Sequence, residues 1–187
     1  YEPFEGEPGN LGMAVSSSAE IEEATLRANR AGLAMAIHAI GDKAVSIVLA
    51  AFERARAETG GSGAAGSQPF VSNRIEHLQL FAERDLPRIR DIRPVASMQP
   101  VHLCADMGPA DRYWGARARY AYACRSLREA GCLLAFGSDA PVEPINPFYG
   151  IYAAVTRRSL DGTPPDGWYP EEALGIREAL ALSLIHI

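Results

Sequence analysis

The hydrophobic and polar positions of the chain form two kinds of stretch. Longer stretches repeat apolar side chains every three or four residues, as amphipathic helices do. Shorter apolar runs between them have no helical period, which is typical of strands buried on both faces of a parallel sheet. The pattern therefore predicts an α/β fold. The predicted helices cover residues 17–31, 42–58, 83–92, 111–131, 147–158 and 170–182, and the predicted strands cover 33–39, 74–78, 94–99 and 132–137.

Several residues predict where these elements begin and end. Ser17 and Glu20 have the spacing of a capping box, which opens the first helix, and Gly32 follows it where a left-handed residue ends a helix. Pro87 confines or kinks the start of the third helix. Residues 60–67, rich in Gly and Ser, are predicted to be a flexible linker.

The order of the elements limits the arrangement of the sheet. Strands alternate with helices and no tight hairpin signal occurs, so the sheet should be parallel. A doubly wound sheet and a (β/α)8 barrel both fit this order, but neither a G-x-G-x-x-G motif nor a P-loop follows a strand, which favours the barrel. A complete barrel needs about 250 residues, so four strand–helix units amount to about half of one.

Composition and charge narrow the choice of partner. The chain is 48% hydrophobic and 22% charged, with a formal net charge of -5, as expected of a soluble globular domain. No basic cluster exceeds the pair Arg157 and Arg158, which argues against a nucleic acid or an anionic membrane. No apolar run approaches the roughly 20 residues that span a bilayer. We expect a small-molecule partner and leave homo-oligomerisation open.

The cysteines indicate the redox state of the cellular compartment in which the protein resides. Cys104, Cys124 and Cys132 are odd in number and lack CxxC spacing, which favours incidental thiols in a reducing compartment. A cytoplasmic location is therefore expected. The chain opens on Tyr1 without a basic or apolar leader, and a signal peptide on a longer parent remains an open alternative.

Candidate metal ligands lie at the ends of three predicted strands: His38, His77 and Asp139. Barrel enzymes build their active sites at the carboxyl ends of the strands. Imidazole nitrogen and carboxylate oxygen are usual ligands of zinc and similar divalent ions, and two His with one Asp leave room for water. The three residues therefore predict a catalytic metal site.

Each of these residues also has a simpler interpretation. A single His in an apolar stretch is more often a hydrogen-bonded core residue, and Glu76 could serve as a salt-bridged neighbour of His77. Asp139 could be a turn or N-cap residue. Each alternative explains one position only. Because all three positions fall at the same end of successive parallel strands, the metal site is favoured for the set.

Four segments carry a resemblance to a known family: residues 38–44, 74–77, 97–102 and 137–142, which read HAIGDKA, RIEH, SMQPVH and GSDAPV. In this order they resemble the amidohydrolase superfamily, and more narrowly the family 3 amidohydrolases that include N-substituted formamide deformylases. The resemblance covers roughly residues 1–182, which form the expected domain. Residues 183–187 do not continue it and are interpreted as a truncated or artefactual tail, so His186 is not counted as a ligand.

The resemblance implies a (β/α)8 TIM barrel with one or two divalent ions, usually zinc, and places this chain at its C-terminal half, strands five to eight. It implies that His38 and His77 are metal ligands ending strands five and six. It implies that Asp139, at the end of strand eight, is both a metal ligand and the general base. His102, after strand seven, would face the substrate as a hydrogen-bond donor or polariser; its alternative is a loop histidine without a role.

The implied function is hydrolysis of a C–N bond, in an amide or formamide-like substrate, by metal-activated water. The family's H-x-H pair on strand one and its bridging Lys or Glu on strand four have no counterpart in the sequence. We therefore expect a fragment that is inactive alone. The alternative is a barrel-derived binding module without catalysis, or an inactive gene fragment.

Overall fold

A computed structural model describes residues 2–59 and 72–184 of the chain. Helices alternate with strands along these residues. The helices are α1 (Ser18–Arg30), α2 (Asp42–Thr59), α3 (Leu86–Ile92), α4 (Leu103–Trp114), α5 (Cys124–Glu129), α6 (Pro147–Thr156) and α7 (Ile176–Leu184), and the strands are β1 (Ala36–Ala39), β2 (Arg74–His77), β3 (Val95–Met98) and β4 (Leu133–Phe136). None of the described helices combines the length and the apolar character needed to cross a membrane.

The four strands form one parallel sheet in the order β1-β2-β3-β4. Each strand therefore pairs with the next strand along the chain, as in a (β/α)8 barrel, whereas the strand order of a doubly wound sheet reverses at a switch point. The predicted α/β class and the partial-barrel layout are confirmed. Because the strands are parallel and sequential, all their carboxyl ends lie at one edge of the sheet.

The main hydrophobic core lies between the sheet and the helices. Ile75, Ala96 and Leu134 stand in register across three strands and pack in this core with Phe52 of α2 and Ile89 of α3. All five side chains are at most 2% exposed. This layer fixes the sheet relative to the helices, and so it fixes the strand ends that carry the candidate site.

The opposite face of the sheet differs from the prediction. Burial on both faces is expected of a parallel strand, but Ala36 and His38 of β1 are exposed, and Leu133 of β4 is 55% exposed. The exposure is uneven, because Ala135 on the same face of β4 is 7% exposed.

The predicted boundary signals of α1 and α3 are confirmed. The capping box is present, since the backbone N–H of Glu20 donates to Ser17 Oγ at 3.3 Å and the N–H of Ser17 donates to Glu20 Oε2 at 2.8 Å. Gly32 has a φ of 74° just after α1, and Pro87 lies in the first turn of α3. The predicted linker 60–67 and the tail residues 185–187, including His186, lie outside the described residues.

The continuous helix predicted over residues 111–131 is wrong. The structure has α4, a 3₁₀ turn over Gly115–Tyr120, and then α5. Gly115 and Tyr122 both have a φ of 51°, and the backbone N–H of Tyr122 donates to the carbonyl of Gln79 at 2.8 Å. The chain leaves the helix because its backbone pairs with the loop after β2, a long-range contact without a local sequence signal.

The helix predicted from residue 170 begins later, at Ile176. A short 3₁₀ turn covers Pro170–Glu172, and Ala173 is extended. The N–H of Leu174 donates to the carbonyl of Ala154 at 2.9 Å, which ties this segment to α6. The backbone of this segment therefore bonds to α6 instead of forming the first turn of the predicted helix.

Candidate metal centre

The candidate residues reach one edge of the sheet from three neighbouring strands. His77 is the last residue of β2, His102 ends the 3₁₀ turn that follows β3, and Asp139 comes three residues after β4. His77 has a φ of 70° and Asp139 a φ of 56°. Left-handed backbone is costly for residues other than glycine and is concentrated at functional sites. The backbone at this edge is therefore held in a conformation that local preference does not favour.

Three side chains converge there. Nitrogen atoms of His77 and His102 and a carboxylate oxygen of Asp139 all lie within 4.8 Å of one another. His102 Nε2 is 3.7 Å from Asp139 Oδ2, and the ring centroids of His77 and His102 are 6.3 Å apart. Two imidazoles and a carboxylate are a donor set that suits zinc or a related divalent ion and leaves a position for water. The residues present fit such an ion.

His38 adjoins this group through His77. Their ring centroids are 4.5 Å apart with the planes at 70°, and β1 pairs with β2 so that Ala39 lies opposite His77. His38 is not part of the group formed by His77, His102 and Asp139. The predicted ligand set of His38, His77 and Asp139 thus remains a prediction, and the structure adds His102 as a fourth candidate.

The electrostatic environment lowers the pKa of His77. Burial is the main cause because it disfavours the charged imidazolium, and the neighbouring His38 acts in the same direction. The carboxylate of Asp139 and a hydrogen bond with Gln99 oppose the shift in pKa without cancelling it. A neutral imidazole is the form that binds a metal ion, so His77 is prepared for that role at neutral pH.

Two neighbours were not singled out by sequence reasoning. Glu143 Oε1 lies 3.8 Å from His102 Nδ1, so His102 stands between the carboxylates of Asp139 and Glu143. Gln99, which is 7% exposed, contacts His77. Both residues lie in or next to the quoted motifs, Gln99 before His102 and Glu143 four residues after Asp139. Their positions in the sequence could have suggested them as site residues, but could not have identified the side chains that they contact.

The structure also bears on the simpler interpretations. His38 is exposed, so it is not a buried core histidine. Glu76 forms an ion pair with Arg74 on its own strand. Asp139 does occupy a turn, because its carbonyl accepts the N–H of Val142 at 2.9 Å. Its side chain is nevertheless 43% exposed beside His102. The turn aims the carboxylate and does not exclude a chemical role.

Two of the cysteines are too deeply buried to take part in this chemistry. All three are free, and Cys124 and Cys132 are buried. Burial raises the pKa of each of these two thiols to about 12. Thiols so far from ionisation are poor nucleophiles and poor metal ligands at neutral pH.

Comparison with known proteins places this geometry in context. A model of the amidohydrolase family (Amidohydro_3) matches residues 2–183. Protein LONG AFTER FAR-RED 3 of Arabidopsis thaliana is 35% identical over 99% of this chain, and the N-substituted formamide deformylase of Arthrobacter pascens is 27% identical over 95% of it. The crystal structure of an uncharacterized metal-dependent hydrolase from Pyrococcus furiosus superposes on 97% of this chain with a TM-score of 0.77 and 34% identity.

Each match covers nearly all of this chain but only part of the related protein. The chain accounts for 30% of the Arabidopsis protein, 31% of the deformylase and 34% of the Pyrococcus hydrolase. It thus spans about a third of the length of the relatives that it matches.

Proposed function

The chain belongs to the amidohydrolase family, and on that premise we propose that it supplies one part of the active site of a metal-dependent hydrolase that cleaves a C–N bond. The observation that carries the proposal is the convergence of His77, His102 and Asp139 at one edge of the sheet. An amide or formamide is the proposed substrate class, since one relative is an N-substituted formamide deformylase.

The metal would be held by His77 and Asp139, with His38 as the neighbouring nitrogen donor, and zinc is the ion we propose. A divalent ion at this position supplies Lewis acidity, which acidifies water and polarises a carbonyl group. The lowered pKa of His77 supports the assignment, because that imidazole is available as a neutral donor.

Asp139 is the proposed general base. Its half-exposed carboxylate accepts a proton from the attacking water as the oxygen bonds to the carbonyl carbon. The C–N bond then breaks, and the same proton passes from Asp139 to the leaving nitrogen. The products are a carboxylic acid and an amine, so atoms and charge balance.

His102 is the proposed polariser. Its side chain is 12% exposed and lies between the carboxylates of Asp139 and Glu143. A carboxylate on one side of an imidazole fixes the ring orientation and the position of its proton. His102 would then donate a hydrogen bond to the substrate carbonyl oxygen as negative charge develops there.

The test uses the complete gene product that contains this chain. We expect release of amine from a panel of N-substituted formamides and simple amides, loss of that activity after chelation, and recovery when zinc is restored. Stoichiometric metal without turnover of any C–N substrate would favour the alternative of a binding module. Turnover that survives complete removal of metal would refute the proposed chemistry.

A further inference from the structure

A cavity of about 150 Å³ lies between the N-terminal segment and α4. Its walls include the rings of Phe4, Tyr113 and Trp114, and its polar groups come from Asp106 and Gln79. Protein cavities of about this volume accept a ligand the size of benzene. The cavity is therefore large enough for a small organic group.

One wall of the cavity is an anchored carboxylate. Asp106 Oδ2 accepts a hydrogen bond from Gln79 Nε2 at 2.7 Å and a second one from the hydroxyl of Tyr122. Both donors bind the same oxygen, and no described residue donates to Oδ1. The carboxylate is thus fixed in place while its other oxygen atom is available to attract a cation.

The aromatic walls favour the same type of ligand. The ring centroids of Phe4 and Tyr113 are 6.0 Å apart and tilted by 53°. The guanidinium of Arg112 lies over the ring of Tyr113, 5.1 Å from its centroid, so one face of that ring already contacts a cation. Phe4 and Trp114 also line the cavity, and Trp is the aromatic side chain that attracts cations most strongly. Aromatic faces beside a carboxylate suit an organic cation and disfavour an anion.

The cavity adjoins the candidate metal centre. Gln79 comes two residues after His77, and Asp106 lies on α4 four residues after His102. His102 has helical backbone angles, so His102 and Asp106 are one turn apart on the same side of the helix, about 6 Å between Cβ atoms. The cavity therefore lies on the same side of the helix as His102.

We propose that this cavity binds an alkylammonium group. Two sources share that chemistry: the cationic end of an amide substrate whose carbonyl reaches the metal centre, or a separate small cation that is not turned over. Only the first source rests on the proposed hydrolase function. The binding of the cation does not depend on it.

The first experiment measures binding alone, by calorimetric titration of the complete gene product with tetramethylammonium and with tert-butanol, a neutral molecule of similar shape. We expect binding of the cation and at least tenfold weaker binding of the alcohol. Asp106→Asn and Trp114→Leu should each weaken tetramethylammonium binding about tenfold, and the exposed Asp166→Asn, which makes the same charge change outside the cavity, should not.

Trp114→Leu leaves the bonds of Asp106 with Gln79 and Tyr122 intact, so it tests the cavity even if Asp106→Asn lowers stability. Equal binding of the cation and the alcohol would overturn the proposal, and so would unchanged affinity in both cavity variants when circular dichroism shows that they are folded.

A second experiment separates the two sources. If the cation is part of the substrate, tetramethylammonium inhibits hydrolysis competitively, and Asp106→Asn lowers kcat/KM for a formamide with a terminal ammonium but not for its neutral alkyl analogue. If the cation is a separate ligand, it binds without competing with substrate. A protein that hydrolyses no amide still gives the titration result, so failure of the hydrolase proposal is distinguishable from failure of the cation site.

Discussion

His102 Nε2 lies 3.7 Å from Asp139 Oδ2, although α4, α5 and β4 lie between the two residues along the chain. The parallel pairing of β3 with β4 brings their strand ends together. His77 completes a group of ligand atoms within 4.8 Å of one another. Metal binding, proton transfer and ring orientation in this group can each be tested by a separate substitution.

Removing either predicted histidine ligand should lower metal content. We expect His77→Ala to have the larger effect, because His77 contacts the ring of His38 and belongs to the group with His102 and Asp139. His38→Ala should have a smaller effect, because His38 adjoins the group through its contact with the ring of His77. Elemental analysis of the purified gene product, after dialysis against metal-free buffer, gives the occupancy.

Arg27→Ala is the control for these two variants. Arg27 is exposed in the last turn of α1 and does not belong to the group, so its substitution should leave the metal content unchanged. Full occupancy in both His38→Ala and His77→Ala would show that neither histidine is a ligand.

Asp139→Asn should separate binding from proton transfer. Asparagine keeps the shape and one oxygen donor but cannot accept the proton of the attacking water. We expect turnover of an amide or formamide to fall by at least the ~10²-fold typical of a lost general base, with a smaller loss of metal. Steady-state kinetics and elemental analysis of the same preparation give both quantities. Turnover close to that of the unmodified protein would exclude Asp139 as the base.

Glu143→Gln should act through His102. The carboxylate lies 3.8 Å from Nδ1, and loss of a carboxylate that orients an imidazole at a metal site costs about 10- to 100-fold in activity or metal affinity. We expect kcat to fall within that range while KM changes little, since Glu143 is not proposed to touch substrate. The exposed Glu171→Gln, in the turn before α7, is the control. A raised KM with unchanged kcat would place Glu143 in substrate binding instead.

The strands and their order follow from local signals in the sequence. Each strand is a short apolar run between helices, and the absence of hairpin signals makes the sheet parallel, so His77 and Asp139 could be assigned to one edge in advance. The turn over Pro100–His102 could not be predicted from the sequence. It decides that His102 reaches Asp139, and a polar residue after a strand end carries no signal of its distance from the next strand.

Long-range backbone contacts explain why other features of the fold could not be predicted from the sequence. The break between α4 and α5 depends on the bond from Tyr122 to the carbonyl of Gln79, and these residues are far apart in sequence. The same connection brings the Tyr122 hydroxyl to Asp106 and so forms one wall of the cavity. Helical periodicity over residues 111–131 could not reveal a contact whose partner lies in another loop.

Arg157 should be a major contributor to stability. It is 1% exposed, and its guanidinium donates to the carbonyls of Trp168 at 2.9 Å, Tyr122 at 2.6 Å and Ala121 at 3.4 Å. Arg157→Met keeps much of the volume but removes all three of these donors, and among the described residues only the carbonyl of Tyr122 keeps another one, the backbone N–H of Cys124. Since each unsatisfied buried group costs about 1–3 kcal/mol, we expect the free energy of unfolding to fall by about 3 kcal/mol.

Urea denaturation followed by circular dichroism measures that difference. The control is Arg27→Met in the last turn of α1, where the exposed side chain should change the free energy of unfolding by less than about 0.5 kcal/mol. Equal stability of the Arg157→Met variant and the unmodified protein would mean that water replaces the lost donors.

The two outer strands of the sheet lead to the last prediction. Among the described residues, β1 and β4 each pair with one neighbour only, so each leaves backbone N–H and C=O groups along an open edge. Such edges, next to the exposed side chain of Leu133, favour pairing with another chain. We expect residues 1–187 expressed alone to associate, to hold metal weakly and to turn over no substrate. Light scattering across a range of concentrations gives the mass.

Leu133→Lys tests whether the sheet is the surface responsible. Leu133 is 55% exposed on the outer strand β4, and lysine on an outer strand opposes edge-to-edge pairing. Leu11→Lys introduces the same charge at a residue that is also 55% exposed but lies in the N-terminal segment away from the sheet. Only Leu133→Lys should shift the mass toward one chain. If the unmodified chain is a monomer at every concentration and retains stoichiometric metal, the open edges do not govern its association, and the three described donors suffice to hold the ion.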